Sequence, residues 1–205
     1  IVKMKTNFAL IALAFATTPL LIMSGTDWFW AKLSETYPFL TTFFLPSVPI
    51  GIFLPLFFCV LAYFLRHRYQ IWRGFWQHSL TAFGAALLLS TILKGITNRV
   101  YRYPFQDLSV ADFSGDFRFG YLTGDSIWTS LTEGYPSGHT ITAAAMCLAW
   151  LPHLDRPYQR WTAVLYPIYI GIGMSFTEHW LSDVITSAFL AIALVRFLQH
   201  RNSAR

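Results

Sequence analysis

Three short polar clusters interrupt an otherwise apolar chain, and each holds residue types that can handle a phosphate. The first, Lys94-Gly-Ile-Thr-Asn-Arg99-Val-Tyr-Arg102-Tyr-Pro104, puts three cations within nine residues. The second, Tyr135-Pro136-Ser137-Gly138-His139-Thr140, stands directly before an apolar run. A helix starting there offers unpaired backbone N–H groups and the positive end of its dipole to an anion, and Ser137 can cap it. His139, one turn inside, adds a titratable donor. The third is Glu178-His179-Trp180-Leu181-Ser182-Asp183, in which His179 and Asp183 are four apart and share a helix face. A carboxylate on one imidazole nitrogen fixes the tautomer and leaves the other nitrogen to attack or to take a proton. Cations and a helix start for phosphate, one histidine to attack and one to protonate a leaving oxygen: phosphoryl transfer needs that set.

Taken singly, each cluster has a plainer reading. Lys94, Arg99 and Arg102 could be interfacial anchors with snorkelling side chains, Ser137 a simple helix cap, and His-x-x-x-Asp a chance spacing. Their common location argues for function, and locating them requires the elements around them.

Of the 205 residues, 55% are hydrophobic and only 12% charged, with a mean hydropathy of +0.45. Soluble domains carry about 25% charged residues, so an ordinary soluble enzyme, a coiled coil and a disordered chain are all excluded. Residues 6–26, 36–65, 74–93, 134–154 and 161–177 contain no Asp, Glu, Lys or Arg. Such runs predict an all-α integral membrane protein with six transmembrane helices, over 7–24, 45–65, 75–95, 137–154, 161–178 and 180–199. Pro38, Pro46 and Pro49 delay the second helix until near Pro49. The first span reads as a retained helix, since no small-x-small cleavage site follows it. The sequence begins at Ile1, and Met4 offers an initiation point.

Ten of the fifteen basic residues fall on one side of these spans, with Asp155 the only acid there. The positive-inside rule therefore places both termini in the cytoplasm and all three clusters at the outer face of the cytoplasmic membrane. The net charge of +5 is explained by this topology and not by nucleic acid, because the cations form no stripe. The segment 25–44, rich in aromatics, is expected along the interface. The longest polar connection, about 97–135, is expected to cap the site, with Asp107, Asp112, Asp116, Arg118 and Asp125 making it net acidic. Cys59 and Cys147 lie in apolar runs and read as core residues, with no disulfide framework, metal site or cofactor implied. A single domain spans 1–205.

At this point the chain resembles the type-2 phosphatidic acid phosphatases, membrane relatives of the vanadium haloperoxidases. Pro136-Ser-Gly-His139 matches that family's second motif in full, His179 and Asp183 match the latter part of its third, and Lys94 begins its first. The resemblance implies a six-helix bundle of that type. It also implies His179 as the nucleophile forming a phosphohistidine, Asp183 as its orienting partner and His139 as general acid. Lys94, Arg102, Ser137 and the Gly138 backbone would hold the phosphate. The chain departs from the pattern twice. The arginine expected seven residues after the lysine is Tyr101, leaving Arg102 by a one-residue shift, or Arg99, to act for it. The third motif's Ser-Arg positions are Ile172 and Gly173.

The expected function is a metal-independent lipid phosphate phosphatase. Its substrate would be a membrane lipid's phosphomonoester or terminal pyrophosphate; undecaprenyl diphosphate, phosphatidylglycerol phosphate, phosphatidic acid and lipid A are the classes the resemblance implies. Three alternatives remain. A phosphotransferase would use the same histidines with a lipid acceptor. A transporter or binding protein would hold the anionic headgroup without chemistry, and would tolerate loss of His179. A serine hydrolase built on Ser137 lacks the glycine elbow.

Overall fold

The computed structural model describes residues 2–68, 70–103, 107–108, 111–120 and 134–203. The chain runs through α1 (Val2–Met23), α2 (Thr26–Thr36), α3 (Pro38–Phe44), α4 (Ser47–Leu65) and α5 (Gln70–Thr97). It continues through α6 (Gly138–Trp150), which a 3-10 turn extends over Leu151–His153, then α7 (Pro157–Thr177) and α8 (Leu181–Ser203). Among the described residues the only extended pairing is an isolated antiparallel bridge, Arg99 with Phe117. The part of the expected cap over 121–133, with Asp125, lies outside the described residues.

Local chemistry sets the boundaries. Gly25 takes φ 69°, a left-handed turn open to glycine at little cost, and lets α2 fold back from α1. Pro38 opens α3 after Tyr37, whose non-helical backbone suits a residue preceding proline. Ser137 caps α6 by accepting from the Thr140 amide. Pro157 begins α7, where the Gln159 side chain accepts from the Arg156 amide at 3.2 Å. The expected start near Pro49 is met by α4 from Ser47, with α3 as an extra short helix before it.

Helix α6 is the axis of the bundle, packed by α4, α5, α7 and α8. Its Ala144, Ala145 and Ala149 meet Ala82 and Ala86 of α5, Leu190 and Ala191 of α8 and Ala14 of α1. Small residues let helix backbones approach where lipid offers no hydrophobic drive to pack. The large side chains point the other way: Phe8, Phe53, Phe64 and Leu88 are all exposed. Such a belt is costly in water and ordinary against acyl chains.

Four segments, Thr6–Met23, Pro38–Leu65, Phe75–Thr97 and Leu181–Arg201, are long and apolar enough to cross a bilayer. Helices also fill the fourth and fifth expected spans but do not meet that standard. The 13 residues of α6 rise about 20 Å, short of a hydrocarbon core of about 30 Å. Surrounded by other helices, α6 needs no lipid-facing stripe, so its composition signals a core helix. The fold is all-helical and multi-pass, with four crossings supported by length and composition.

The segment 25–44 also adds to the core: α2 packs Ala31 with Leu108 and Trp180, and Trp28 and Phe113 close the cluster. The Trp28 and Trp180 rings stack at 6.2 Å.

Candidate active site

The end of α5, the start of α6 and the α7–α8 junction meet at one cleft of about 540 Å3. It is lined by Lys94, Tyr101, Tyr103, His139, Glu178 and His179, together with Ser90, Thr91 and Gly138 and the apolar Ile52 and Leu87. The three polar clusters of the sequence thus converge. Hydrogen bonds hold the three pieces together. Thr97 Oγ1 donates to Tyr135 O at 3.0 Å, Gly134 N to Arg99 O at 2.9 Å, and Ser187 Oγ to Ser137 O at 3.0 Å.

The two histidines face each other with ring centroids 6.4 Å apart. His179 is 1% exposed, and its Nδ1 lies 3.5 Å from Asp183 Oδ2. That separation exceeds a formed N–H···O bond, and Nδ1 has no hydrogen-bond partner among the described residues. With Nδ1 turned to the carboxylate, Nε2 is the nitrogen left for the cleft. Burial holds the His179 imidazole below its ordinary value, and Asp183 opposes the shift. A neutral ring is what a nucleophile requires.

Two glycines admit this geometry. A Cβ on Gly138 would stand 3.4 Å from Ser90 Oγ and 3.9 Å from Lys94 Cε, so the lysine stem passes directly over the first turn of α6. A Cβ on Gly51 would lie 3.0 Å from His139 Cβ, so α4 yields space to the second histidine. Composition and motif spacing gave no sign of Gly51.

The remaining expected ligands sit elsewhere. Ser137 Oγ is fully buried and accepts from Thr140 N at 3.4 Å and Thr140 Oγ1 at 3.0 Å, so it serves the helix start and is not on the cleft wall. Neither arginine lines the cleft. Arg102, 2% exposed, donates to Ser34 Oγ (2.9 Å), Ala31 O (3.3 Å) and Ser175 O (2.8 Å), tying α2 to α7. Burial pushes its guanidinium down to about 10, still charged at neutral pH. Arg99 is fully buried and bonds Asp27, Ser182, Asp183 and Ser114 O. Tyr101, at the motif's arginine position, instead brings a phenol bonded to the Glu178 carboxylate; burial and that carboxylate raise its pKa. No side chain fits at Gly173, where a Cβ would collide with Ser47. The third-motif arginine is thus excluded by packing as well as absent.

Asp27 was not singled out by the sequence, which presents it as one outer acid among several. Its only signal is a lone carboxylate at a helix start between Gly25 and the Trp-Phe-Trp run. Among the described residues no group of three or more His, Cys, Asp or Glu could hold a metal ion.

Residues 79–205 match the PAP2 superfamily, and the chain belongs to that family. No curated protein matches this chain. Among solved structures, the chain is similar to the crystal structure of the first transmembrane PAP2-type phosphatidylglycerolphosphate phosphatase from Bacillus subtilis. The TM-score is 0.63 at 17% identity, over 97% of this chain and 96% of that one. The likeness is one of fold.

Proposed function

We propose that this protein is a lipid phosphate phosphatase acting through a phosphohistidine. The observation that carries the reading is the facing pair His139 and His179 across a cleft bordered by Lys94 and the α6 N-terminus. Family membership and the fold support a phosphatase of lipid phosphates. In the first step His179 Nε2 forms a bond to phosphorus while the phosphorus–oxygen bond to the lipid breaks. The leaving oxygen takes its proton from His139. In the second step water, losing a proton to His139, attacks phosphorus, the P–N bond breaks and inorganic phosphate leaves. Lys94, the Gly138 amide and the α6 dipole stabilise the equatorial oxygens. Asp183 closes on Nδ1 as the ring becomes positive. No metal takes part.

One lysine and one helix start suit the two negative charges of a phosphomonoester. A diphosphate would bring further charge toward Glu178, on the same wall. The cleft faces outward, as the distribution of basic residues supports. Purified protein should release phosphate from a panel of lipid phosphates in EDTA, faster from a phosphomonoester than from a prenyl diphosphate, with His179→Ala as blank. Activity that needs added Mg²⁺, or that survives in His179→Ala, would overturn the mechanism. Transfer of the phosphoryl group to a second lipid in place of water would make the protein a transferase.

A further inference from the structure

Arg99 makes hydrogen bonds to four residues near the site, yet it does not line the cleft. Its Nη2 donates to Asp27 Oδ2 at 2.8 Å, its Nη1 to Ser182 Oγ at 2.7 Å and to Asp183 Oδ1, and its Nε to Ser114 O at 2.9 Å. Asp27, from α2, reaches the same place: its Oδ1 accepts from Ser182 N at 2.8 Å and its Oδ2 from Ser182 Oγ. Arg99, Asp27 and Asp183 are all fully buried. One guanidinium therefore serves two carboxylates, away from water, at the N-terminus of α8.

The charge balance matters for Asp183. Its Oδ2 accepts from Trp180 N at 3.0 Å and lies nearest His179 Nδ1; its Oδ1 is held by Arg99. An arginine bound to Asp183 alone would neutralise it and leave little attraction for a positive imidazole. Asp27 takes a share of that guanidinium, so the triad keeps one net negative charge facing His179. In a low-dielectric site such a charge acts strongly on a cation developing next to it.

We propose that Asp27 is a positioning residue of the reaction, which by sharing Arg99 keeps Asp183 oriented and its negative charge only partly compensated toward His179. The proposal rests on the reading of His179 as nucleophile. Asp27 is outside the cleft lining, so its effect should fall on turnover and not on substrate binding. The test is a double-mutant cycle in kcat with Asp27→Asn and Asp183→Asn. Coupled residues give non-additive losses, and independent ones add.

Asp27→Asn should lower kcat by about tenfold and leave KM within about twofold; in the Asp183→Asn background the same change should cost less than about twofold. A merely structural aspartate would cost the same factor in both backgrounds, and that result overturns the proposal, as does a rise in KM alone or no loss. If Asp27→Asn does not fold in detergent, Ser182→Ala replaces it, removing one bond from Arg99 and one from Asp27 while keeping both charges. Its loss of about two- to fivefold should vanish in the Asp183→Asn background; an equal loss in both again overturns the proposal. Wild-type protein that releases no phosphate from any lipid phosphate would instead defeat the reading of the site itself.

Discussion

The two imidazoles sit in different environments, and the proposed division of roles follows them. His179 is almost wholly buried, approached by Asp183 and excluded from water, whereas His139 is only partly covered and stands in the first turn of α6. The buried ring suits nucleophilic attack; the more open one can exchange a proton with a leaving oxygen or a water. This division can be separated experimentally by the leaving group. A lipid alkoxide needs a proton as it departs, but p-nitrophenolate does not. His139→Asn should therefore lose about 10²–10⁴-fold in kcat/KM on a lipid phosphomonoester, the usual size of general acid catalysis, and much less on p-nitrophenyl phosphate. His179→Ala should abolish both. Equal losses of His139→Asn on the two substrates would assign that ring to phosphate binding only.

Helix starts and junctions, more than helix bodies, build the site. The first turn of α6 carries the bare backbone of Gly138 under Lys94, and Ser137 secures that turn from behind. The expectation that Ser137 binds phosphate and the geometry that makes it a cap lead to different numbers. Removing a cap costs about 1 kcal/mol of stability, whereas removing a transition-state donor costs about 10²–10³ in rate. Ser137→Ala should thus lower the melting temperature by a few degrees while kcat/KM falls less than about tenfold. A rate loss above a hundredfold with unchanged melting would return Ser137 to the phosphate. Helix α2 has a parallel role on the other side. Arg102 binds it to α7, and Asp27 binds it to α8 through Arg99, so this helix braces the elements that form the cleft.

At the scale of the molecule, exposed apolar side chains surround a core of small residues, and the polar cleft lies where the end of α5, the start of α6 and the α7–α8 junction meet. The ten-to-five division of basic residues supports the proposed orientation of this bundle, with the cleft outward. Single cysteines placed at positions 111–118 should react with a membrane-impermeant maleimide in intact cells, while one at 157 should stay protected until the membrane is opened. The reverse pattern would put the cleft in the cytoplasm and require a substrate from the inner leaflet.

Class and chemistry were legible in the sequence because they depend on local quantities. Charge-free runs announce a membrane protein, and Pro136-Ser-Gly-His139 with His179 and Asp183 announces phosphoryl chemistry, since a helix start and an i,i+4 pair are set by a few neighbouring residues. Helix α6 showed where that reading stops: an apolar run of this length fits a membrane crossing or a buried helix, and only its neighbours tell which. The arginines were not legible for a related reason. Spacing from Lys94 favoured Arg102 as the phosphate ligand, with Arg99 as the alternative, but a long flexible side chain goes where buried acceptors are. Those acceptors, Asp27 on α2, Ser175 on α7 and Ser182 and Asp183 on α8, come from segments far apart in the chain. Tertiary packing alone decided that both guanidiniums brace the frame of the cleft while Lys94 lines it.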